Sequence, residues 1–247
     1  PVLMSLFSGR VLAFAEARMG SCSDFAWTDL VMKISDDGGM HWSPLIVVRS
    51  ETNSTTMTPT VIGNAAPVQL LHNHQVLLPH TLNNSQVWLM TTNDDGTTWS
   101  HPQLLDNVTQ PDWKWVGTGP PGSLELQSGR ILVPSYHSKV RGNLINNIVH
   151  GHVMLSDDHG RTWRLGQQLH GYGQGDHLVN ENQAVQLRNG SILINARSFA
   201  TLTPARRLQT ISNDDGETFG PVSYVEELKQ PFDGCQGSII ADNDNNR

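Results

Sequence analysis

Four segments of this chain repeat one turn signature: Ser or Thr, any residue, Asp, any residue, Gly, two residues and an aromatic. They are Ser35-Asp37-Gly39-Trp42, Thr92-Asp94-Gly96-Trp99, Ser156-Asp158-Gly160-Trp163 and Ser212-Asp214-Gly216-Phe219, with aromatic anchors 57, 64 and 56 residues apart. Such a period decides architecture before local propensity does, because each repeat buries its apolar face only against its neighbours. A second series runs in phase with the first: Gly9-Arg10-Val11-Leu12, Gln75-Val76-Leu77, Gly129-Arg130-Ile131-Leu132 and Gly190-Ser191-Ile192-Leu193. Each follows a short apolar segment, such as Val2-Leu3-Met4 or Ala184-Val185-Gln186-Leu187. Every repeat therefore reads strand, turn, strand, loop, strand, Asp turn, strand. Short β-branched runs bounded by Gly, Asn and Asp support strands, and no apolar pattern persists at helical spacing. The predicted fold is all-β, a β-propeller whose blades are four-stranded antiparallel units of about 55–60 residues. Four blades are expected, plus the start of a fifth at Cys235-Gln236-Gly237-Ser238-Ile239-Ile240, in a single incomplete domain over 1–247.

The Asp turn has its own physical logic. Asp and Ser/Thr side chains bond nearby backbone, Gly supplies a positive φ, and the aromatic that follows buries its ring between neighbouring sheets. These motifs are read as scaffold. If they join strands three and four at one end of the propeller, the turn between strands one and two lies at the same end, since antiparallel neighbours reverse at each turn. Starts of strand one and ends of strand two then gather at the opposite end. Five residues past the common Val or Ile stand Glu16, Thr81, Tyr136 and Arg197. Arg18 and Asp24 follow in the first repeat, counting back from the same anchors reaches Asn64 and Glu181, and Gln236 stands in the segment that lines up with Asn182-Gln183-Ala184-Val185-Gln186-Leu187. Arg18, Asp24, Asn64, Tyr136, Glu181, Arg197 and Gln236 are therefore expected at one mouth, where a propeller usually takes its ligand.

Charge narrows the ligand. The net charge is -7, without a Lys/Arg cluster, which argues against a nucleic-acid partner or an anionic membrane surface. No apolar run approaches the roughly 18 residues of a membrane-spanning helix. A few convergent arginines still suit a small anion.

The Asp turns, together with Ala13-Phe14-Ala15-Glu16-Ala17-Arg18, Asn195-Ala196-Arg197 and Gly234-Cys235-Gln236-Gly237-Ser238, resemble the exo-α-sialidase (neuraminidase) family over essentially the whole chain. The spacings from Arg18 to Asp24 and from Glu181 to Arg197 are similar to those of its lysosomal branch, and the Gly-Cys-Gln-Gly-Ser string to the cytosolic branch. The resemblance implies a six-bladed propeller that hydrolyses terminal sialic acids from glycoproteins, glycolipids or oligosaccharides with retention, and sialylated glycans as partners. It implies no cofactor. Three arginines hold the substrate carboxylate in this family, and Arg197 matches the second of them. The first would stand just upstream of Pro1, and the third, with the nucleophilic Tyr, beyond Arg247. None of Tyr136, Tyr172 and Tyr224 matches the nucleophile's context. Residues 1–247 alone are then expected to be inactive. Glu181 matches the residue that takes the phenol's proton, and Asp24 the acid/base. Arg18 matches an arginine at the substrate or one step behind it, while Asn64, Tyr136 and Gln236 match pocket residues.

Bland readings compete with these. Asp29 rivals Asp24, but its place within Asp29-Leu30-Val31-Met32 favours a structural role. Cys22 and Cys235 read as packing residues. His72-Asn73-His74 and His150-Gly151-His152 lack the metalloprotease His-Glu spacing, so no metal site is expected. The alternatives to a sialidase are a non-catalytic Asp-turn binding module and a propeller glycosidase for another sugar. A neutral-sugar site would offer paired carboxylates and stacking aromatics without arginines.

Overall fold

The computed structural model describes residues 1–51, 58–141, 149–170, 179–198, 206–231 and 234–241. It contains four antiparallel sheets in chain order, each a propeller blade. Blade I is β1 (Val2–Ser5), β2 (Val11–Met19), β3 (Trp27–Ser35) and β4 (Ile46–Arg49). In blade II the innermost strand is split into β5 (Ile62–Gly63) and β6 (Val68–Gln69), both paired to β7 (Val76–Leu82), with β8 (Gln86–Thr92) and β9 (Gln103–Leu104) outside. Blade III repeats that split, with β10 (Trp115–Thr118) and β11 (Leu124–Glu125) on β12 (Ile131–Ser138), then β13 (Val149–Ser156) and β14 (Arg164–Gln168). Blade IV is β15 (Val179–Gln186), β16 (Ile192–Ser198), β17 (Arg206–Ser212) and β18 (Ser223–Lys229).

Side chains alternate faces along a strand, so the second strand of an inner blade must be apolar on both sides. β7 and β12 are buried at every position. Val76 and Leu78 of β7 pack toward blade I with Leu12, Phe14 and Met32, whereas Leu77 joins the core shared with blade III. Ile131 and Val133 of β12 face blade II, and Leu132 between them faces blade IV. The core is thus a series of apolar seams between blades.

All four Asp turns connect the third strand to the fourth. The Ser or Thr ending the third strand accepts the Gly N–H two residues past the Asp, at 2.8 Å for Ser35 and Ser156, 3.1 Å for Thr92 and 2.9 Å for Ser212. Its hydroxyl donates to the Asp at 2.6–3.0 Å. The aromatic packs onto the preceding blade: Trp99 lies edge-on to Phe14, Trp163 joins the blade II seam and Phe219 that of blade III. Trp42, with no blade before it in the structure, is 37% exposed. The glycines do more than permit a turn. A Cβ on Gly160 would lie 2.6 Å from Leu77, and one on Gly216 2.6 Å from Leu132.

At this same end, guanidinium groups tie blade to blade. Arg10 binds Asp36 of its own blade at 2.7 Å and donates to Asp95 O of blade II at 3.2 Å. Arg130 binds Asp157 at 2.5 Å and donates to Asp215 O of blade IV at 3.0 Å.

Residues 235–240, the expected start of a fifth blade, are described without a strand. A blade's first strand is held by its second, and the described residues include no partner strand for this segment. The segment is instead pinned by Arg207 donating to Cys235 O at 2.9 Å and Gln183 accepting from Ile239 N at 2.7 Å. Among the described residues no helix is long and apolar enough to cross a membrane. Tyr172 lies outside the described residues.

Two predictions follow from the turns. Gly216→Ala meets both a positive φ and Leu132, so it should cost more than the roughly 1–3 kcal/mol of a left-handed non-Gly residue. Gly9→Ala, positive in φ but open in space, should cost only that backbone strain. Urea denaturation compares them, and equal losses would remove the packing argument. The second concerns acid. Hydrogen bonds from Thr92 and Thr98 hold Asp94 down to about 2, and those from His41 and then Ser35 do the same for Asp37, against an ordinary 3.8. A carboxylate depressed in the folded state stabilises above its unfolded pKa and loses that contribution as pH falls through the folded one. Asp37→Asn/Asp94→Asn should therefore be less stable than wild type at neutral pH, with the gap closing between about pH 4 and 2. A constant gap in thermal unfolding midpoints would refute this.

Candidate functional site

Opposite the Asp turns, the second strands of the blades converge on a cavity of about 720 Å³. Glu16 and Arg18 reach it from β2, Tyr136 from β12 and Arg197 from β16. Asp24 lies in the loop between β2 and β3, Asn64 follows β5, and Glu181 lies on β15. Gln236 completes the set from the terminal segment and donates to Pro1 O at 3.2 Å. All seven residues singled out in the sequence thus line one cavity. Asp29 pairs with Ala17 in the β2–β3 ladder and is absent from the lining.

Carboxylates and guanidiniums interleave along the wall. Arg18 is bound on one side by Glu16 Oε2 at 2.8 Å and on the other by Asp24 Oδ1 at 2.8 Å, while it also donates to Cys22 O at 2.7 Å. Burial opposes its charge, but Glu16 and then Asp24 outweigh burial and raise its pKa. Glu16 extends the chain of contacts into blade II, because its Oε1 accepts the Asn64 N–H at 2.9 Å. Asn64 sits at φ 53 and donates through its amide to Thr81 and Asn84 at 3.2 Å each, so its side chain is fixed by blade II alone. Gly63 allows this approach: a Cβ there would stand 2.3 Å from Glu16 Oε1. Asn84 in turn donates to Asp24 O at 3.3 Å.

Glu181 owes its position to a bulge. β15 pairs Val179 with Ser198 but Asn182 with Ala196, so one extra residue is accommodated on the β15 side. Such an insertion re-aims side chains. Here both Asn180 and Glu181 line the cavity, with the Asn180 side chain accepting from Glu181 N at 2.7 Å. Glu181 Oε2 then receives Arg197 Nη1 at 2.9 Å, a half-buried pair.

Tyr136 lies at the floor, 5% exposed, its hydroxyl accepting from Trp115 Nε1 at 3.4 Å. Burial, and then the charge of Glu181, push its pKa far up, so it is a neutral phenol that can donate a hydrogen bond. Gly117, its partner across the ladder, must be glycine, since a Cβ would come within 2.3 Å of the ring.

Glu16, Phe25 and Trp115 belong to the lining yet were not singled out as site residues. Glu16 had a visible signal: it precedes Arg18 by two on one strand and so shares its face. The edge-on pair of Phe25 and Trp115, with centroids 5.7 Å apart, joins two blades and left no trace in local sequence.

The BNR repeat-like domain family matches residues 1–242. The chain is 29% identical to Sialidase-4 of Homo sapiens over 93% of its own length and 51% of that protein's. It is 31% identical to Sialidase-2 of Cricetulus griseus, covering 94% of this chain and 64% of the other. It thus spans about half to two thirds of the length of these animal relatives. Among solved structures, the Hadza microbial sialidase Hz136 aligns with a TM-score of 0.77 at 19% identity, over 94% of this chain and 48% of that one. The intramolecular trans-sialidase from Ruminococcus gnavus aligns with a TM-score of 0.79 at 16% identity, over 95% and 72%. Blade order, Asp turns and sequence similarity agree, and the chain belongs to the BNR repeat-like domain family, with sialidases as its relatives over nearly all its length.

Proposed function

We propose that this chain forms the acid/base wall of an exo-α-sialidase site that removes terminal sialic acids with retention. The observation carrying the reading is the meeting of Arg18, Asp24, Glu181 and Arg197 in one cavity, drawn from two blades well apart in sequence. A sialic acid bears a carboxylate on its anomeric carbon, and guanidinium groups bind carboxylates by charge-assisted, often bidentate hydrogen bonds. Arg197, oriented by Glu181, supplies such a group. The convergent arginines favour a sugar acid over a neutral polysaccharide.

Sialidases use Tyr rather than a carboxylate as nucleophile. A neutral phenol approaches a carbon already carrying a carboxylate without the repulsion a second anion would meet. In this reading Glu181 takes the phenol's proton from a tyrosine outside residues 1–247, and Tyr136 is a wall residue: it is buried and holds its proton. Asp24 protonates the departing glycosidic oxygen and later takes the proton of the attacking water. Arg18 and Asn84 hold Asp24 in place. Asn64 and Gln236 contact the sugar. Sialylated glycans are the substrates, and the circle closes with six blades.

The test uses the protein that carries residues 1–247 together with its remaining blades. An alkoxide leaves poorly without a proton, whereas an aryl oxide does not need one. Asp24→Asn should therefore lose about 10²–10⁴ in rate on a sialyl-lactose substrate. On an aryl sialoside the first step should suffer far less, giving a burst of aryl release followed by slow turnover, because the water still needs a base. Equal losses on both substrates with no burst would remove Asp24 from proton transfer. Binding of sialic acid without any release from a sialoside by the wild-type protein would favour the binding-module reading.

A further inference from the structure

The four Asp turns place one residue each in the left-handed region just before the conserved-in-motif glycine: Gly38, Asp95, His159 and Asp215, at φ 71, 53, 62 and 57. The arginine clamps grip this position from the preceding blade, Arg10 at Asp95 O and Arg130 at Asp215 O. Between blades II and III the clamp is different. The residue corresponding to Arg10 and Arg130 is Gln75, which binds Asn93 of its own blade at 3.0 Å, as Arg10 binds Asp36 and Arg130 binds Asp157. An amide has no guanidinium fork with which to continue to the next turn. The left-handed residue of that next turn is His159.

At this junction three donors from two blades face one another. His72, in the turn between β6 and β7, has its ring 4.0 Å from that of His159, centroid to centroid and tilted by 39°. Glu125, at the end of β11, joins them, and the ligating atoms of the three residues all lie within 4.8 Å of one another. Glu125 is already oriented, since its Oε2 accepts Leu71 N at 2.5 Å and ties the carboxylate to the turn that carries His72. Among the described residues this is the one group of three His, Cys, Asp or Glu donors close enough to share a cation.

We propose that His72, Glu125 and His159 bind a divalent transition metal of zinc type, which bridges blades II and III where the arginine clamp is missing. Two imidazoles and a carboxylate are a borderline donor set suited to Zn²⁺, Cu²⁺ or Ni²⁺ and poorly suited to Ca²⁺ or Mg²⁺. With Zn–N and Zn–O bonds of about 2.0–2.2 Å, the donors need to close by about an ångström, which the exposed imidazoles of His72 and His159 reach by rotamer adjustment toward Glu125, and water completes the tetrahedron. The site is on the Asp-turn end, away from the candidate catalytic cavity, so its role is to staple the propeller.

The test is zinc titration of the protein carrying residues 1–247 against a chromophoric chelator, with thermal unfolding measured alongside. Wild type is expected to bind one Zn²⁺ and to gain unfolding midpoint as zinc rises. His159→Asn removes the imidazole without adding a carboxylate and tolerates the left-handed backbone at that turn, so it should fold. It should weaken zinc binding by more than the roughly 10–100-fold typical of losing an outer-shell partner, and abolish the midpoint shift. His72→Asn should do the same, whereas His74→Asn, two residues away and packed on Phe7, should not. Failure of wild type to bind zinc, zinc retained by the His72→Asn/His159→Asn variant, or equal loss in His74→Asn would each overturn the proposal.

Discussion

Alternation of side chains along four second strands is the constraint on which everything else rests. Because Leu77 and Leu132 point one way while their neighbours Val76, Leu78, Ile131 and Val133 point the other, each inner blade is welded to two partners by a single strand. The Asp turns lock that packing at one end, where Gly160 and Gly216 bring backbone against the same two leucines. The strands are thereby held in azimuth and height. Of the residues five positions along them, Glu16, Tyr136 and Arg197 line the common cavity.

That rigidity lets the opposite end carry charge. A chain of contacts runs from Asn64 through Glu16 and Arg18 to Asp24, joining blade II to blade I. A second pair, Glu181 and Arg197, stands on blade IV and depends on the β15 bulge. Each guanidinium faces a carboxylate, and each of those carboxylates has a defined direction because a guanidinium holds it. Half-buried ion pairs of this kind add little to stability after desolvation, so their value lies in orientation. Tyr136 and Gly117 show the accompanying cost in packing freedom, since the floor of the cavity admits no side chain at Gly117.

The two ends divide labour by loop chemistry. Turns at the Asp end are short and bonded to themselves, so their outward side chains are available to tie blades together, by Arg10 and Arg130 at two junctions and by His72, Glu125 and His159 at the third. At the cavity end the loop from β2 to β3 presents Asp24 inward, and the turn after β5 presents Asn64. The propeller therefore keeps its bonded turns at one end and the candidate site at the other, as folds with sites at one end of their strands commonly do.

Fold class, blade number within the chain and the end at which Arg18, Asp24 and Arg197 would meet were all legible in the amino-acid sequence, because they depend on local turn chemistry and on a period of two along a strand. Even Glu16 was readable in principle, two residues from Arg18. The segment 235–240 carries no strand, since apolar alternation marks what a segment could pair with and a strand forms only against a partner, which the described residues do not include. The bulge that brings Asn180 and Glu181 together into the cavity, the Phe25–Trp115 contact and the approach of His72 to His159 belong to tertiary structure alone. In sequence His72 invited comparison with His74, two residues away, and its spatial neighbours lie 53 and 87 residues further on. Distances between blades are set by how far seams of leucine, valine and tryptophan let the sheets approach, a sum over many contacts that no single motif encodes.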